Sequence, residues 1–150
     1  MCAKICVPVL RPLPWPGTPC NIKLLILMPS SRFPSFLHVL ATYFAFSDFH
    51  TAAIDEDGRL WTWGWGGSLF WGIGGLGHGD EAEQPRPKVV RSLVDYGCRV
   101  GSVACGEKHT LILTDDGEVL TAGNGEYGRL GNGGSSDHRV PEPVELFDEK

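Results

Sequence analysis

The sequence has 150 residues, of which 42% are hydrophobic and 21% charged, a balance typical of a globular protein. Its 20 glycines and 11 prolines favour short strands and turns, and it lacks the uninterrupted apolar stretch of about 18 residues that a membrane-spanning helix needs. Residues 48–150 hold all 18 acids but only 9 of the 13 basic residues, so we expect no direct nucleic-acid binding by this region.

Residues 1–44 form a proline-rich segment without a repeat signature. They contain two apolar runs, at residues 22–28 and 36–46, and the second run fits a helix or a buried strand equally well. The absence of acids is a property of mitochondrial transit peptides, although the prolines and sparse arginines weaken that interpretation. The five cysteines of the chain include no C-x-x-C pair, which favours free thiols in a reducing compartment.

The first repeat is predicted over residues 45–98. An Asp-Gly turn at Gly58 separates an apolar run from the alternating run at residues 59–63, and this arrangement predicts a β-hairpin because glycine accepts the positive φ of a tight turn. Residues 67–75 are an insertion that lengthens a loop and gives it aromatic side chains. Residues 81–88 are predicted to be a polar link, and residues 89–94 to open the next strand.

The second repeat is predicted over residues 99–150, with strands at residues 110–114 and 118–122 around another Asp-Gly turn. Its landmarks match those of the first repeat at an offset of 59 residues, or 54 residues beyond the insertion. The matched pairs are His50 with His109, Gly58 with Gly117, Gly64 with Gly123, and Gly77 with Gly131. Self-similarity at a fixed period predicts a repeat architecture.

This order of His-Thr, Asp-Gly and Gly-x-Leu-Gly-x-Gly landmarks resembles the repeats of the regulator of chromosome condensation family over residues 45–150. The resemblance implies an all-β fold, a partial β-propeller built of antiparallel blade repeats, with two of an expected seven blades. The chain departs from the pattern at Ser47, where the second repeat has Gly106, and at Ala122, where the first repeat has Trp63. Two blades cannot close a ring, so the chain is either a fragment of a longer propeller or a sheet completed by other chains, and the fragment is the preferred interpretation.

Three aromatic residues, Trp65, Phe70 and Trp71, are candidates for partner binding, because loops on a rigid scaffold carry contacts and aromatic side chains dominate binding hot spots. The matched histidines and glycines are expected to be structural, with each histidine hydrogen-bonded inside its own blade. No catalytic, cofactor-binding or metal-binding residue is predicted. The acidic turns are expected to be hairpins, because an EF-hand would need further ligands that the sequence lacks.

An alternative function is suggested by the glycine-rich loop at residues 123–128, which satisfies G-x-G-x-x-G. An enzyme that binds a nucleotide with this loop would need a helix beginning at the last glycine, so that its N-terminus faces the pyrophosphate. Residues 129–134 contain three glycines and do not favour a helix, so a blade turn is the preferred interpretation.

The expected function is therefore a non-enzymatic scaffold for protein–protein interaction. The family resemblance implies a sharper version, guanine nucleotide exchange on a small GTPase such as Ran, with no cofactor. The expected compartment is the cytoplasm or the nucleus, with the mitochondrion as the alternative.

Overall fold

The computed structural model describes residues 24–25, 40–68 and 72–144, and most of their regular structure is antiparallel β-sheet. The strands of the first sheet are β1 (Leu24–Leu25), β2 (Leu40–Phe46), β3 (His50–Asp55), β4 (Leu60–Gly64) and β7 (Gln84–Val89). They are arranged in the order β1-β2-β3-β4-β7. Between β4 and β7, the insertion forms a small hairpin of β5 (Gly67–Ser68) and β6 (Gly72–Ile73).

The second sheet has four strands, β8 (Val100–Cys105), β9 (His109–Thr114), β10 (Val119–Gly123) and β11 (His138–Pro143). They are arranged in the order β11-β10-β9-β8. Helical structure in the described part of the chain is confined to α1 (Arg91–Asp95) and one 3-10 turn (Glu126–Gly128). Neither is long or apolar enough to span a membrane.

The two central hairpins have the same register, and this confirms the strands predicted around the two Asp-Gly turns. Ile54 pairs with Leu60 in the first hairpin, and Leu113 pairs with Val119 in the second, each 59 residues further along. The turn glycine of the second hairpin, Gly117, has a φ of 89°, a conformation that residues with a Cβ rarely adopt. The prediction of an all-β fold built from repeated antiparallel hairpins is therefore confirmed.

The connection between the repeats differs from the prediction. Residues 81–88 were expected to be a polar link, but Gln84–Val89 pairs with β4 as the outer strand of the first sheet. Pro85 and Pro87 lack an N–H group, and an edge strand tolerates this because one of its sides makes no ladder hydrogen bonds. Residues 89–94, expected to open a strand, instead lead into α1, which turns Leu93 inward until it is only 3% exposed.

The main hydrophobic core lies between the two sheets, where β8 packs against β2 and β3. Successive side chains of β9 point to opposite faces of the sheet. Ile112 faces the core and is 1% exposed, whereas Leu111 and Leu113 are on the other face and are 40% and 42% exposed. The core is formed by Ala52, Ile54, Leu60, Val90, Leu93, Val100, Val103, Ile112 and Leu120. Folding of one repeat is therefore coupled to that of the other through shared apolar burial.

The first sheet includes residues from the segment assigned to 1–44, because β2 begins at Leu40. The apolar run at residues 36–46, which fitted a helix or a strand, contains this strand. A smaller apolar cluster lies on the face of the first sheet that is turned away from the second sheet. It consists of Ala41 and Ala53 with Phe44, Trp61 and Trp63 packed against them.

Replacing Ile112 by alanine is expected to reduce the free energy of unfolding by about 2–5 kcal/mol, because the change removes buried methylene groups and leaves a cavity between the sheets. Leu113→Ala, on the exposed face of the same strand, is the matched control and should cost less than about 1 kcal/mol. Urea denaturation of dilute full-length protein measures both values. Equal losses in the two variants would contradict this assignment of the core.

Candidate protein-interaction face

Two of the matched glycines allow neighbouring strands to approach closely at one end of each sheet. Gly64 has a φ of 116°, and a Cβ added there would lie 2.8 Å from Cα of His50. Gly123 has a φ of 120°, and its Cβ would lie 2.7 Å from Cα of His109. Any larger residue at either position would force the strand ends apart. The two glycines therefore allow His50 and His109 to occupy equivalent positions beside the neighbouring strand.

A buried threonine hydroxyl anchors the loop that follows the central hairpin in each repeat. Each hydroxyl donates to a leucine carbonyl, at 2.7 Å in the first repeat and 3.1 Å in the second. The pairs are Thr62 with Leu76 and Thr121 with Leu130. In both loops a glycine with positive φ follows the leucine, Gly77 at 74° and Gly131 at 73°. These threonines too are 59 residues apart, and that spacing is the signal in the sequence that could have predicted their role.

His50 connects the two repeats through a buried hydrogen-bond network. The Thr110 hydroxyl donates to the carbonyl of Gly75 at 2.6 Å, so its oxygen accepts from Nε2–H of His50 at 2.7 Å. Nδ1 of His50 then accepts from the Ser47 hydroxyl at 3.0 Å. Gly75 fits between the repeats because it lacks a side chain: a Cβ there would lie 2.8 Å from Oγ1 of Thr110. These four residues are called the His50 network below.

The hydrogen bonds of His50 differ from the expectation that each histidine binds inside its own blade. The bond with Ser47 is internal, but the bond with Thr110 crosses between the sheets. Burial lowers the pKa of His50 from 6.5 to about 4, and the nearby His109 adds to this effect. Burial also lowers the pKa of His109, with a smaller contribution from Arg129. Both rings are therefore neutral near pH 7.

Trp65, one of the predicted partner-binding residues, lies at the end of the first sheet beside Phe49. The two ring centroids are 5.4 Å apart, and the Trp65 amide donates to the Phe49 carbonyl at 2.8 Å. Phe49 is 41% exposed and Trp65 is half-buried, so the pair presents an apolar surface on a fixed backbone. The other two candidates, Phe70 and Trp71, lie outside the described residues.

A further aromatic residue, Tyr127, lies at the equivalent end of the second sheet, just after β10. It is 93% exposed and has a φ of 60°, which is uncommon for a residue with a side chain. The Arg129 guanidinium lies 5.6 Å from its ring centroid, within range of a cation–π interaction. Tyr127 was not predicted as a contact residue, because nothing in the glycine-rich pattern indicates that its side chain is exposed.

The insertion brings the ends of the two sheets together. A Cβ on Gly72 would lie 2.7 Å from Nδ2 of Asn124, which follows β10. Phe49, Trp65 and Tyr127 lie at or just beyond equivalent strand ends of the two sheets, and we call these three residues the aromatic end. It is built from strand ends and short turns, and such positions hold contact residues on a rigid frame.

The glycine-rich loop lacks the helix that nucleotide binding would require. The 3-10 turn at Glu126–Gly128 is not followed by an α-helix in the described residues up to 144. The Gly125 amide donates to a carboxylate oxygen of Asp137 at 2.8 Å. This backbone N–H group, which a bound phosphate would need, is therefore already hydrogen-bonded within the protein. The loop therefore serves as a blade turn, and the nucleotide-binding alternative loses its structural basis.

The acidic turn at Asp55 and the thiol of Cys105 also have structural explanations. A carboxylate oxygen of Asp55 accepts the backbone amides of Asp57 and Arg59 at 3.0 and 2.8 Å, which closes the hairpin turn. No group of three or more His, Cys, Asp or Glu side chains suited to a metal ion occurs among the described residues. Cys105 is a free thiol whose pKa burial raises to about 11, so it is protonated near pH 7.

The two antiparallel sheets, of five and four strands, pack face to face as the blades of a β-propeller do, and this defines the class of protein. Two family descriptions of the regulator of chromosome condensation (RCC1) repeat match the chain. One covers residues 57–113 and 116–150, and the other covers residues 42–68 and 101–129. The chain belongs to the regulator of chromosome condensation repeat family.

Several known proteins are similar to this chain. The human E3 ubiquitin-protein ligase HERC2 is 45% identical over 98 residues, which are 64% of this chain and 2% of HERC2. The X-linked retinitis pigmentosa GTPase regulator homolog of Caenorhabditis elegans is 45% identical over 87 residues, 58% of this chain and 6% of that protein. The chain thus spans only a small part of these relatives.

A solved structure shares the fold. Prp20p from Saccharomyces cerevisiae, described with its binding properties to Gsp1p and histones, superposes with a TM-score of 0.60 at 21% identity. The match covers 81% of this chain and 28% of Prp20p. The two described sheets are accordingly a partial β-propeller, in agreement with the sequence-based prediction.

The free energy of unfolding is expected to fall as the pH decreases from about 6.5 towards 4. Above pH 6.5 His50 is neutral in both the folded and the unfolded protein. Between pH 6.5 and 4 it binds a proton in the unfolded chain but stays neutral in the folded protein, so protonation favours unfolding by up to about 3 kcal/mol. Urea denaturation at a series of pH values measures the slope, and His50→Gln should reduce it by the contribution of His50, leaving the contributions of His78 and His109, whose pKa values burial also lowers. A wild-type stability that is constant or rises over this window would contradict the assignment.

Thr110→Val is expected to cost about 1–3 kcal/mol of stability, because it leaves the Nε2–H group of His50 and the Gly75 carbonyl buried without their partner. Thr51→Val is the matched control, since Thr51 is the equivalent residue of the first repeat and is only half-buried. Thermal and urea denaturation measure both. If Thr110→Val lowered the stability no more than Thr51→Val does, the His50 network would contribute nothing to the stability of the fold.

Proposed function

We propose that this chain is a protein-binding module that contacts its partner through the aromatic end. The observation that carries this proposal is the exposure of Tyr127, 93% of whose surface is accessible in the 3-10 turn just after β10. Large, pre-positioned aromatic side chains contribute most to binding hot spots, because they bury much area and lose little conformational entropy. Phe70 and Trp71 stay sequence-based candidates for the same surface.

The charge of the chain favours a protein partner over a nucleic acid. Residues 48–150 carry 18 acids against 9 basic residues, a balance that repels phosphate backbones. The same acidic surface attracts basic protein surfaces and raises the rate of encounter with them. Arg129, beside Tyr127, adds a local positive group that can pair with a carboxylate of the partner.

The more specific proposal is that the partner is a small GTPase whose nucleotide exchange this propeller regulates. It is supported by the relative named as a GTPase regulator and by the fold shared with Prp20p, described with its binding to Gsp1p. An exchange factor forms no covalent bond. It binds the nucleotide-free GTPase more tightly than the nucleotide-bound form, and this difference in affinity shifts the equilibrium towards nucleotide release.

Trp65→Ala and Tyr127→Ala are each expected to weaken binding to nucleotide-free Ran at least tenfold, because each removes an exposed aromatic contact. The same variants should slow the release of a fluorescent GDP analogue from Ran by a similar factor. Tyr96→Ala is the matched control, since Tyr96 is 83% exposed but follows α1, away from the aromatic end. Calorimetry measures binding, and stopped-flow fluorescence measures release.

Two outcomes separate the general proposal from the specific one. If Ran neither binds nor loses nucleotide faster, the exchange-factor proposal is wrong. The general proposal is then tested by comparing the proteins that cross-link to the wild type and to the three variants in a cell extract. Cross-linking that is lost with Trp65→Ala and Tyr127→Ala but kept with Tyr96→Ala supports the aromatic end; equal cross-linking in all four contradicts it.

A further inference from the structure

Two asparagines of this chain are each followed by glycine, Asn124 by Gly125 and Asn132 by Gly133. Asparagine is chemically labile because the backbone nitrogen of the next residue can attack its side-chain amide. A following glycine favours the attack, since it has no side chain to shield that nitrogen. The two pairs have the same sequence, so a difference between them in the folded protein must come from the structure.

The two asparagine side chains make the same hydrogen bond to the backbone. Oδ1 of Asn124 accepts from the amide of Glu126 at 3.2 Å, and Oδ1 of Asn132 accepts from the amide of Gly134 at 3.3 Å. In both turns the oxygen that gains negative charge during the attack therefore faces an N–H donor, which stabilises that charge. This bond does not distinguish the two asparagines.

The attacking backbone nitrogens have different surroundings. The Gly125 amide donates to a carboxylate oxygen of Asp137 at 2.8 Å, and Gly125 packs closely against the carbonyl group of Ser136. The Gly133 amide has no hydrogen-bond partner in the described part of the chain. A Cβ added at Gly133 would meet no described atom within 4 Å. The Gly133 nitrogen can therefore move towards Cγ of Asn132, whereas the Gly125 nitrogen is held in place.

The access of water to the two asparagines also differs. Asn124 is 2% exposed and is followed by a buried glycine, whereas Asn132 is half-buried and residues 133–137 are exposed. One contact opposes the reaction of Asn132: its Nδ2 donates to Nε2 of His138 at 2.6 Å, and this bond must break as the amide leaves. Asn132 should therefore react more slowly in the folded protein than in the unfolded chain, but faster than Asn124.

We propose that Asn132 is a site of spontaneous deamidation in the folded protein and that Asn124 is not. The Gly133 nitrogen forms a bond to Cγ of Asn132, the bond from Cγ to Nδ2 breaks, and the Nδ2 group leaves as ammonia with the proton of the Gly133 amide. One water molecule then opens the resulting succinimide ring. Addition of water at Cγ gives aspartate, and addition at the backbone carbonyl gives isoaspartate, whose main chain is longer by one methylene group.

The test is peptide mass spectrometry of the full chain, incubated at mildly alkaline pH and digested with a protease at successive times. Conversion at Asn132 is expected to be at least about tenfold faster than at Asn124. The rate should rise with the hydroxide concentration, because the attacking nitrogen must lose its proton. In the same chain unfolded in guanidinium chloride, the two asparagines should convert at similar rates, since each is followed by glycine.

Two outcomes would overturn the proposal. Equal rates at the two asparagines in the folded protein would show that the reaction depends on the sequence alone or proceeds through the unfolded chain. An Asn132 that stays intact after the unfolded chain has been fully converted would show that its contact with His138 protects it. Asn132→Gln is the control for the assignment, because glutamine would have to form a larger ring. It should abolish the conversion at this position and leave the rate at Asn124 unchanged, and circular dichroism establishes that the incubated chain stays folded.

Discussion

The arrangement of the two sheets depends on one buried polar contact, the hydrogen bond from His50 to Thr110. Both residues are at most 2% exposed, so an unpaired donor or acceptor at either position would be costly. The contact forms in only one relative position of the two sheets. Gly75 must also lie between them, because its carbonyl accepts the hydrogen bond from the Thr110 hydroxyl. Apolar packing is less directional, so the His50 network fixes the alignment that the core then stabilises.

From that alignment the rest of the site follows. Because the hydrogen bond from His50 to Thr110 joins equivalent strand ends, the Phe49–Trp65 pair and the turn that carries Tyr127 follow strand ends at the same edge of the two sheets. Gly64 and Gly123 keep these ends narrow by allowing the neighbouring strand to approach. The sheets therefore provide the rigid frame, and the residues just beyond them provide the surface that a partner can contact.

The hairpins and their repetition could be predicted because Asp-Gly turns and apolar alternation are local signals. The outer strand at Gln84–Val89 could not, since its prolines argue against a strand unless it is known to lie at an edge. The partner of His50 was missed because Thr110 is 60 residues away, and no local pattern reports such a contact. Tyr127 was missed because exposure depends on how the loop is folded.

The most direct test of this account is a double-mutant cycle between His50 and Thr110, read out as the free energy of unfolding. His50→Ala, Thr110→Val and the double variant are compared with the wild type by urea denaturation at neutral pH. We expect a coupling energy of about 0.5–3 kcal/mol, because either single change already breaks the bond between the sheets. Additive losses, within about 0.5 kcal/mol, would show that the two repeats are aligned by something other than this contact.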